Sequence, residues 1–158
     1  MMKFVDFEMP WERPYQFIYP SVTVEGWEED AITFIIRCWV GAIDGYWHRV
    51  EMRFESVIEY RWYEFGSYYE DSDLPRSKYG FKPGEIINSA YVEHLFAKTV
   101  IHGVDGERLD GLKKEAIRHF RASFDDYGTF HIIALDYKII IGDKLSGDAP
   151  EEQFKPKA

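Results

Sequence analysis

The five histidines of this chain are its most obvious candidates for metal binding or proton transfer. They are His48, His94, His102, His119 and His131. No two have the HExxH or HxH spacing that places two ligands on the same side of a helix or strand. His119 and His131 flank one polar turn and could face each other across it, but a solvent-facing pair in a sheet explains them equally well. We therefore predict no metal site and no cofactor.

Nucleophilic catalysis is not indicated by any motif in the sequence. Cys38 is the single cysteine and lies in the most apolar predicted strand, where a thiol is usually a small buried hydrophobe. The chain has no GxSxG motif and no phosphate-binding glycine loop. We predict that the protein is not an enzyme and assign it no catalytic residue.

Carboxylates are concentrated in three predicted turns or loops, at 28–30, 70–73 and 125–126. The Asp71-Ser72-Asp73 spacing lacks the later glycine and bidentate glutamate of a calcium loop. Aromatic residues flank two of the acidic groups, and this combination suits attraction and anchoring of a basic partner protein. The predicted partner-binding residues are Trp27, Glu28, Glu29, Asp30, Tyr68, Tyr69, Glu70, Asp71, Asp73 and Tyr79.

A small-ligand site is the alternative prediction, with or without enzymatic activity. Its pocket would lie between the sheet and a helix, and its polar lining would be Tyr60, Trp62, His119, Arg121 and His131. A ligand site requires these groups to converge on a concave face, whereas partner binding requires acids and tyrosines on a convex surface or an edge. Self-pairing of exposed strands into a homo-oligomer also stays open.

Bulk composition limits the class of protein. A length of 158 residues favours a single domain, and a net charge of -9 argues against binding to nucleic acid or an anionic membrane. The acidic, proline-containing N-terminus does not resemble a signal peptide, and no apolar run approaches the roughly 20 residues that span a bilayer. One cysteine excludes an intrachain disulfide. We predict a cytoplasmic protein.

Strands dominate the predicted secondary structure. An extended arm at 1–20 should lie over the core, because three prolines interrupt it between aromatic residues. Strands are predicted from Val22 and at 31–40, 47–54 and 57–65, which together form an antiparallel meander. A long polar segment follows at 66–84, then a helix at 88–98 that Asn88 or Ser89 caps. A loop and a short helix at 109–117 come next.

The clearest pattern in the chain is the alternation from Arg118 to Ile141. Phe120, Ala122 and Phe124 point to one side of a strand, and a return strand follows the Asp125–Gly128 turn. A third strand is predicted at 137–141. The fold expected from these elements is α+β, a mainly antiparallel sheet with one or two helices packed on it. The domain should cover 1–142, followed by a flexible tail at 143–158.

These segments resemble small bacterial immunity proteins of polymorphic toxin systems. The resemblance covers residues 22–142 and depends on ITFIIRCWV, VEMRFESVIEYRWYEF, INSAYVEHLF and HFRASFDDYGTFHIIALDYKIII. It implies binding and neutralisation of a cognate toxin, often a basic nuclease, without catalysis. Net acidity suits that role, because a nuclease presents a basic groove to phosphates. The resemblance assigns no individual contact residue.

Overall fold

The structure is a computed structural model that describes residues 2–10, 16–26, 31–41, 46–63, 83–102, 114–124 and 128–145. Within these ranges the chain forms one seven-stranded sheet and one α-helix, which confirms the predicted α+β fold. The strands are β1 (Lys3–Asp6), β2 (Gln16–Glu25), β3 (Thr33–Gly41), β4 (Trp47–Tyr63), β5 (Gly84–Ile87), β6 (Arg118–Phe124) and β7 (Gly128–Leu145). Helix α1 (Ala90–His102) follows β5, and a single 3₁₀ turn (Lys114–Ala116) precedes β6.

The sheet has the order β1-β5-β6-β7-β4-β3-β2, and all neighbouring strands are antiparallel. Strands β2, β3 and β4 form the predicted meander. Strands β6 and β7 form the predicted hairpin, in which His119 lies opposite Ile133 and Phe124 lies opposite Gly128. The hairpin occupies the middle of the sheet, because β7 also pairs with β4 along most of its length.

Two predicted strand breaks are wrong. The strands predicted at 47–54 and 57–65 are parts of the continuous strand β4, and the one predicted at 137–141 belongs to β7. Phe54 and Val57 both face the core although they are three positions apart, and the same holds for Ala134 and Tyr137 opposite them. Because an odd spacing normally puts two residues on opposite faces, the alternation of inward and outward side chains shifts here in both strands. Ser56 adopts a positive φ of 54° at this irregularity. In the sequence, a change of alternation within a strand therefore resembles the end of a strand.

The sheet curls around an apolar inner face. Phe17 of β2 contacts Phe124 of β6 edge-to-face, with ring centroids 6.4 Å apart. In a flat sheet these strands would be about 19 Å apart, at about 4.8 Å per neighbouring pair. The enclosed core contains large side chains that are at most 1% exposed, among them Phe34, Met52, Phe54, Phe120 and Ile132.

The N-terminal residues contribute both an edge strand and a core side chain. Strand β1 pairs with β5, and the next residue, Phe7, enters the inner core with 3% exposure. Its ring stacks on Tyr137 at 4.4 Å, and its N–H donates to the Pro83 carbonyl at 3.1 Å. At the other end, β7 continues to Leu145, beyond the predicted start of the tail, and residues 146–158 lie outside the described residues.

Helix α1 covers the opposite side of the sheet, here called the helix face. Val92 of α1 packs with Ile117 and with Ile133 of β7 in a small buried cluster. The Ser89 hydroxyl accepts a hydrogen bond from the Val92 N–H at 3.2 Å, which confirms Ser89 as the N-cap. Over the part of the chain that the structure describes, no helix is long and apolar enough to cross a membrane.

Candidate functional site

The ten predicted partner-binding residues all lie outside the described ranges, in 27–30 and 64–82. Their arrangement therefore stays a prediction. The described residues that precede the second acidic group in the chain belong to β4, which ends at Tyr63, seven positions before residue 70. Two aromatic side chains near that end, Tyr60 and Trp62, are 40% and 51% exposed.

Three of the five predicted ligand-face residues come together on the helix face. His119, Arg121 and His131 are 2%, 5% and 8% exposed, so the expectation of a solvent-facing histidine pair is wrong. Tyr60 and Trp62 lie elsewhere, because they pair with Ile132 and Phe130 on the inner-face side of the sheet.

Ser89, His119 and His131 form a continuous hydrogen-bonded chain, here called the Ser–His–His chain. Ser89 Oγ lies 2.7 Å from His119 Nδ1, and His119 Nε2 lies 2.8 Å from His131 Nδ1. A neutral imidazole has one donor and one acceptor nitrogen, so one assignment has each group donate to the next: Ser89 to His119 and His119 to His131. Strands β6 and β7 fix the two rings, and the start of α1 fixes the serine.

Charged and aromatic side chains surround this chain. His131 lies opposite Arg121 on one neighbouring strand and opposite Arg61 on the other. The Arg121 guanidinium lies 4.5 Å from the centroid of the Phe4 ring of β1, and that of Arg61 lies 5.1 Å from the centroid of Tyr91. Each of these guanidinium groups therefore lies against the π-face of an aromatic ring.

Gly84 makes room for the Phe4 ring. A Cβ atom at this position would lie 2.6 Å from Phe4 Cζ and 2.3 Å from the Val5 carbonyl oxygen. Any larger residue would push β1 away from β5. The close approach of these two strands is therefore one requirement for the position of Arg121 beside Phe4.

A cavity of about 410 Å³ lies beside the Ser–His–His chain. Its volume falls in the range of small-molecule sites. Ser89 and His119 provide hydrogen-bonding groups in its wall, and Ile86, Val92 and Ile117 provide apolar surface. The cavity thus combines an apolar wall with a few convergent polar groups.

The cations that line the cavity are each bonded to a carboxylate. Arg118 donates two hydrogen bonds to Glu85, at 2.9 and 2.7 Å, and Lys114 Nζ lies 3.1 Å from Glu93. The hydrogen bond to Glu85 raises the pKa of Arg118. Because these charges are compensated, the cavity suits a neutral ligand better than an anion.

Metal and thiol chemistry receive no support from the geometry. Among the described residues, no group of three or more potential metal ligands comes together. Cys38 lies in the inner core, 3% exposed, and burial raises the pKa of its thiol. The cysteine is therefore protonated and enclosed at neutral pH.

Sequence reasoning recognised Ser89 only as a possible helix cap. Its contact with His119 depends on the pairing of β5 with β6, which joins residues more than thirty positions apart. Hairpin alternation placed His119 and Arg121 on one side of β6, but it contained no signal for a serine arriving from α1. No protein-family model matches the chain, and comparisons with curated proteins and with solved structures gave no match.

Proposed function

We propose that the protein is a non-enzymatic binding protein that neutralises a cognate toxin through an acidic and aromatic surface. The observation that carries this proposal is the exposed pair Tyr60 and Trp62, 40% and 51% exposed near the end of β4. Large aromatic side chains on a rigid element are typical anchors of protein interfaces. The chain around them has a net charge of -9.

The position of the aromatic pair adds to this argument. Tyr60 lies against the buried Phe34 ring, with centroids 4.8 Å apart, so its orientation is fixed before a partner binds. The segment 64–82, which contains six of the ten predicted contact residues, begins just after β4. Acidic residues that follow preordered aromatic residues in the chain would attract a basic toxin, which the aromatic side chains would then anchor.

A growth-rescue assay and a binding assay test this proposal, with each neighbouring gene product that is toxic when expressed alone as the probe. Co-expression of the wild-type chain should restore growth, and the double variant Tyr60→Ala/Trp62→Ala should weaken toxin binding at least tenfold. Ile140→Ala is the matched control, because Ile140 is 38% exposed and pairs with Glu51, away from the aromatic pair. Equal binding by all three proteins, or no binding at low salt, would contradict the proposal.

A second candidate function is the binding of a neutral small molecule in the cavity. The specific observation in its favour is that Ser89 and His119 of the Ser–His–His chain line a cavity of about 410 Å³. Ligand-detected NMR with a panel of neutral esters and amides should find binders with saturable affinity. Val92→Phe should abolish binding by filling the cavity, whereas Val22→Phe, at a position 40% exposed on β2, should not.

The NMR experiment has two outcomes that count against ligand binding. One is the absence of any saturable binder in the panel. The other is equal binding by wild type, Val92→Phe and Val22→Phe, which would place the ligand outside the cavity.

A further inference from the structure

We propose that Ser89 is an activated nucleophile that accepts an acyl group from a neutral ester bound in the cavity. This inference rests on the second candidate function, ligand binding in the cavity, and adds a covalent step to it. The described residues that line the cavity belong to 85–93 and 114–119, and none of them belongs to β4, which carries the aromatic pair of the toxin-binding surface. A covalent step would make the protein an enzyme and would replace the non-enzymatic description given above.

Ser89 lies in a sharp connection between a strand and a helix, a position that suits a nucleophile. Strand β5 ends at Ile87, Asn88 adopts a positive φ of 57°, and Ser89 directly precedes α1. Asparagine tolerates this left-handed conformation better than most residues. The sharp strand–turn–helix connection places the serine hydroxyl at the start of a helix and in the cavity wall.

A base and a group that orients the base are both in place. His119 Nδ1 lies 2.7 Å from Ser89 Oγ, and His131 Nδ1 lies 2.8 Å from the other ring nitrogen of His119. This is the nucleophile–base–orienting group arrangement of covalent catalysis. His131 acts through His119 and is a positioning residue.

An N–H group suited to a developing oxyanion adjoins the serine. The Ala90 N–H, at the first residue of α1, has Met2 Sδ as its acceptor at 3.5 Å. A thioether is a weak acceptor, so an anionic oxygen would form a stronger hydrogen bond in its place. The positive end of the helix dipole favours the same charge.

The reaction balances with groups already named and water. Ser89 Oγ forms a bond to the ester carbonyl carbon while its proton passes to His119 Nδ1. The bond from that carbon to the alkoxy oxygen breaks, and the departing alkoxide takes the proton from His119. Water then attacks the acyl-serine, giving its proton to His119, which returns it to Ser89 Oγ as the carboxylic acid leaves.

The cavity selects the substrate class. Ile86, Val92 and Ile117 favour a short apolar acyl group. Both cations among the described lining residues are paired, Arg118 with Glu85 and Lys114 with Glu93, so an anionic acyl group is not favoured. We therefore expect preference for a butyryl ester over a succinyl ester of the same alcohol.

An alkyl fluorophosphonate probe and 4-nitrophenyl butyrate test the proposal on the full chain. The fluorophosphonate should add one phosphonyl group with loss of fluoride, and peptide mass spectrometry should locate it at Ser89. Ser89→Ala should abolish labelling. Ser123→Ala is the matched control, since Ser123 is also buried but bonds to Thr129, and it should be labelled like wild type.

Variants of His131 distinguish positioning from mere structural support. His131→Asn keeps an acceptor near the position of Nδ1 and should label within tenfold of wild type, whereas His131→Leu should label at least a hundredfold more slowly. Circular dichroism confirms that each variant is folded. Equal labelling rates for these two folded variants would contradict the role of His131.

The outcomes separate this proposal from the one on which it rests. Reversible ester binding that Val92→Phe abolishes, without covalent labelling of Ser89, would overturn the nucleophile and leave ligand binding intact. Labelling that persists in Ser89→Ala would overturn it as well. If no ester binds and none reacts, both proposals fail.

Discussion

The two faces of the β6–β7 hairpin are almost equally buried and chemically opposite. The inner face carries Phe120 and Ile132, both 0% exposed, and the helix face carries His119 and His131, 2% and 8% exposed. On the inner face, packing is non-directional and many neighbours share it. On the helix face, two hydrogen bonds of 2.7 and 2.8 Å fix three side chains in one arrangement. Burial alone therefore does not distinguish a core from a site.

The energetic reason for this contrast lies in desolvation. Burial of a phenylalanine side chain away from water stabilises the folded state by about 1.5–3 kcal/mol. A hydrogen bond between buried polar groups adds about 0.5–1.5 kcal/mol to stability. A buried polar group that loses its hydrogen-bond partner lowers stability by about 1–3 kcal/mol. Substitutions on the inner face should consequently lower stability according to the side-chain volume they remove. Substitutions on the helix face should lower it according to the hydrogen-bond partners they remove.

The largest effect is expected on the inner face, from Phe54→Ala. Phe54 is fully buried and contacts Phe7 and Phe120, so the change should lower the free energy of unfolding by about 3–5 kcal/mol. Urea unfolding followed by circular dichroism measures this. Trp62→Ala removes more atoms at a position 51% exposed and should cost less than about 1.5 kcal/mol. Equal losses would show that the inner face is not the main core.

Breaking the Ser–His–His chain should have the next largest effect. His119→Leu removes the middle partner and should lower stability by about 2–3 kcal/mol, because two buried groups each lose a hydrogen bond. His119→Leu/His131→Leu should cost at least about 1 kcal/mol less than the sum of the single variants, since no histidine is then left without its partner. Additive losses would contradict the coupling of these residues.

Cys38 offers a pH test of the inner face. Because burial raises the pKa of its thiol, the folded state keeps a proton that the unfolded chain releases above about pH 8.5. The resulting stability is present below that pH and is lost as pH rises, at up to about 1.4 kcal/mol per pH unit. At pH 10 the stability difference between wild type and Cys38→Ala should have shifted by about 2 kcal/mol against wild type. An equal dependence of the free energy of unfolding on pH in the two proteins would contradict burial of the thiol.

The smallest effect is expected at the charged rim of the cavity. Glu85→Gln weakens the paired hydrogen bonds from Arg118, but Arg118 is 32% exposed, so solvent screening should limit the loss to about 0.5–1 kcal/mol. Glu93→Gln acts on a more exposed pair with Lys114 and should cost less than about 0.5 kcal/mol. Thermal unfolding at 0.05 and 0.5 M salt should show both losses shrink at high salt. A larger loss for Glu93→Gln would reverse this ranking.

Local patterns were sufficient for the hairpin, the meander and the helix. The alternation of Phe120, Ala122 and Phe124 correctly indicated one buried face of β6, and Ser89 is one of the two residues predicted to cap the helix. These features depend on neighbours in the chain, for which residue type is informative. The grouping of Tyr60 with the histidines was wrong: Tyr60 is six positions after Phe54 and lies, like Phe54, on the inner-face side of the sheet.

Long-range pairing accounts for most of what the sequence did not reveal. Strands β1 and β5 have four residues each, too few for a period to be recognised, and their partners are distant in the chain. The Ser–His–His chain depends on β5 lying beside β6. Its histidines were candidates in the sequence, whereas the contact of Ser89 with His119 and the burial of both histidines were not predicted.

The pairing of β1 with β5 also constrains when the protein can fold during synthesis. Lys3 pairs with Ile87, and β5 in turn pairs with β6, which begins at Arg118. A ribosome adding about 5–20 residues per second reaches β6 several seconds after β1 has been made. Until then Phe4 and Phe7 lack the later residues that pack against them, so their side chains stay accessible to solvent and to chaperones.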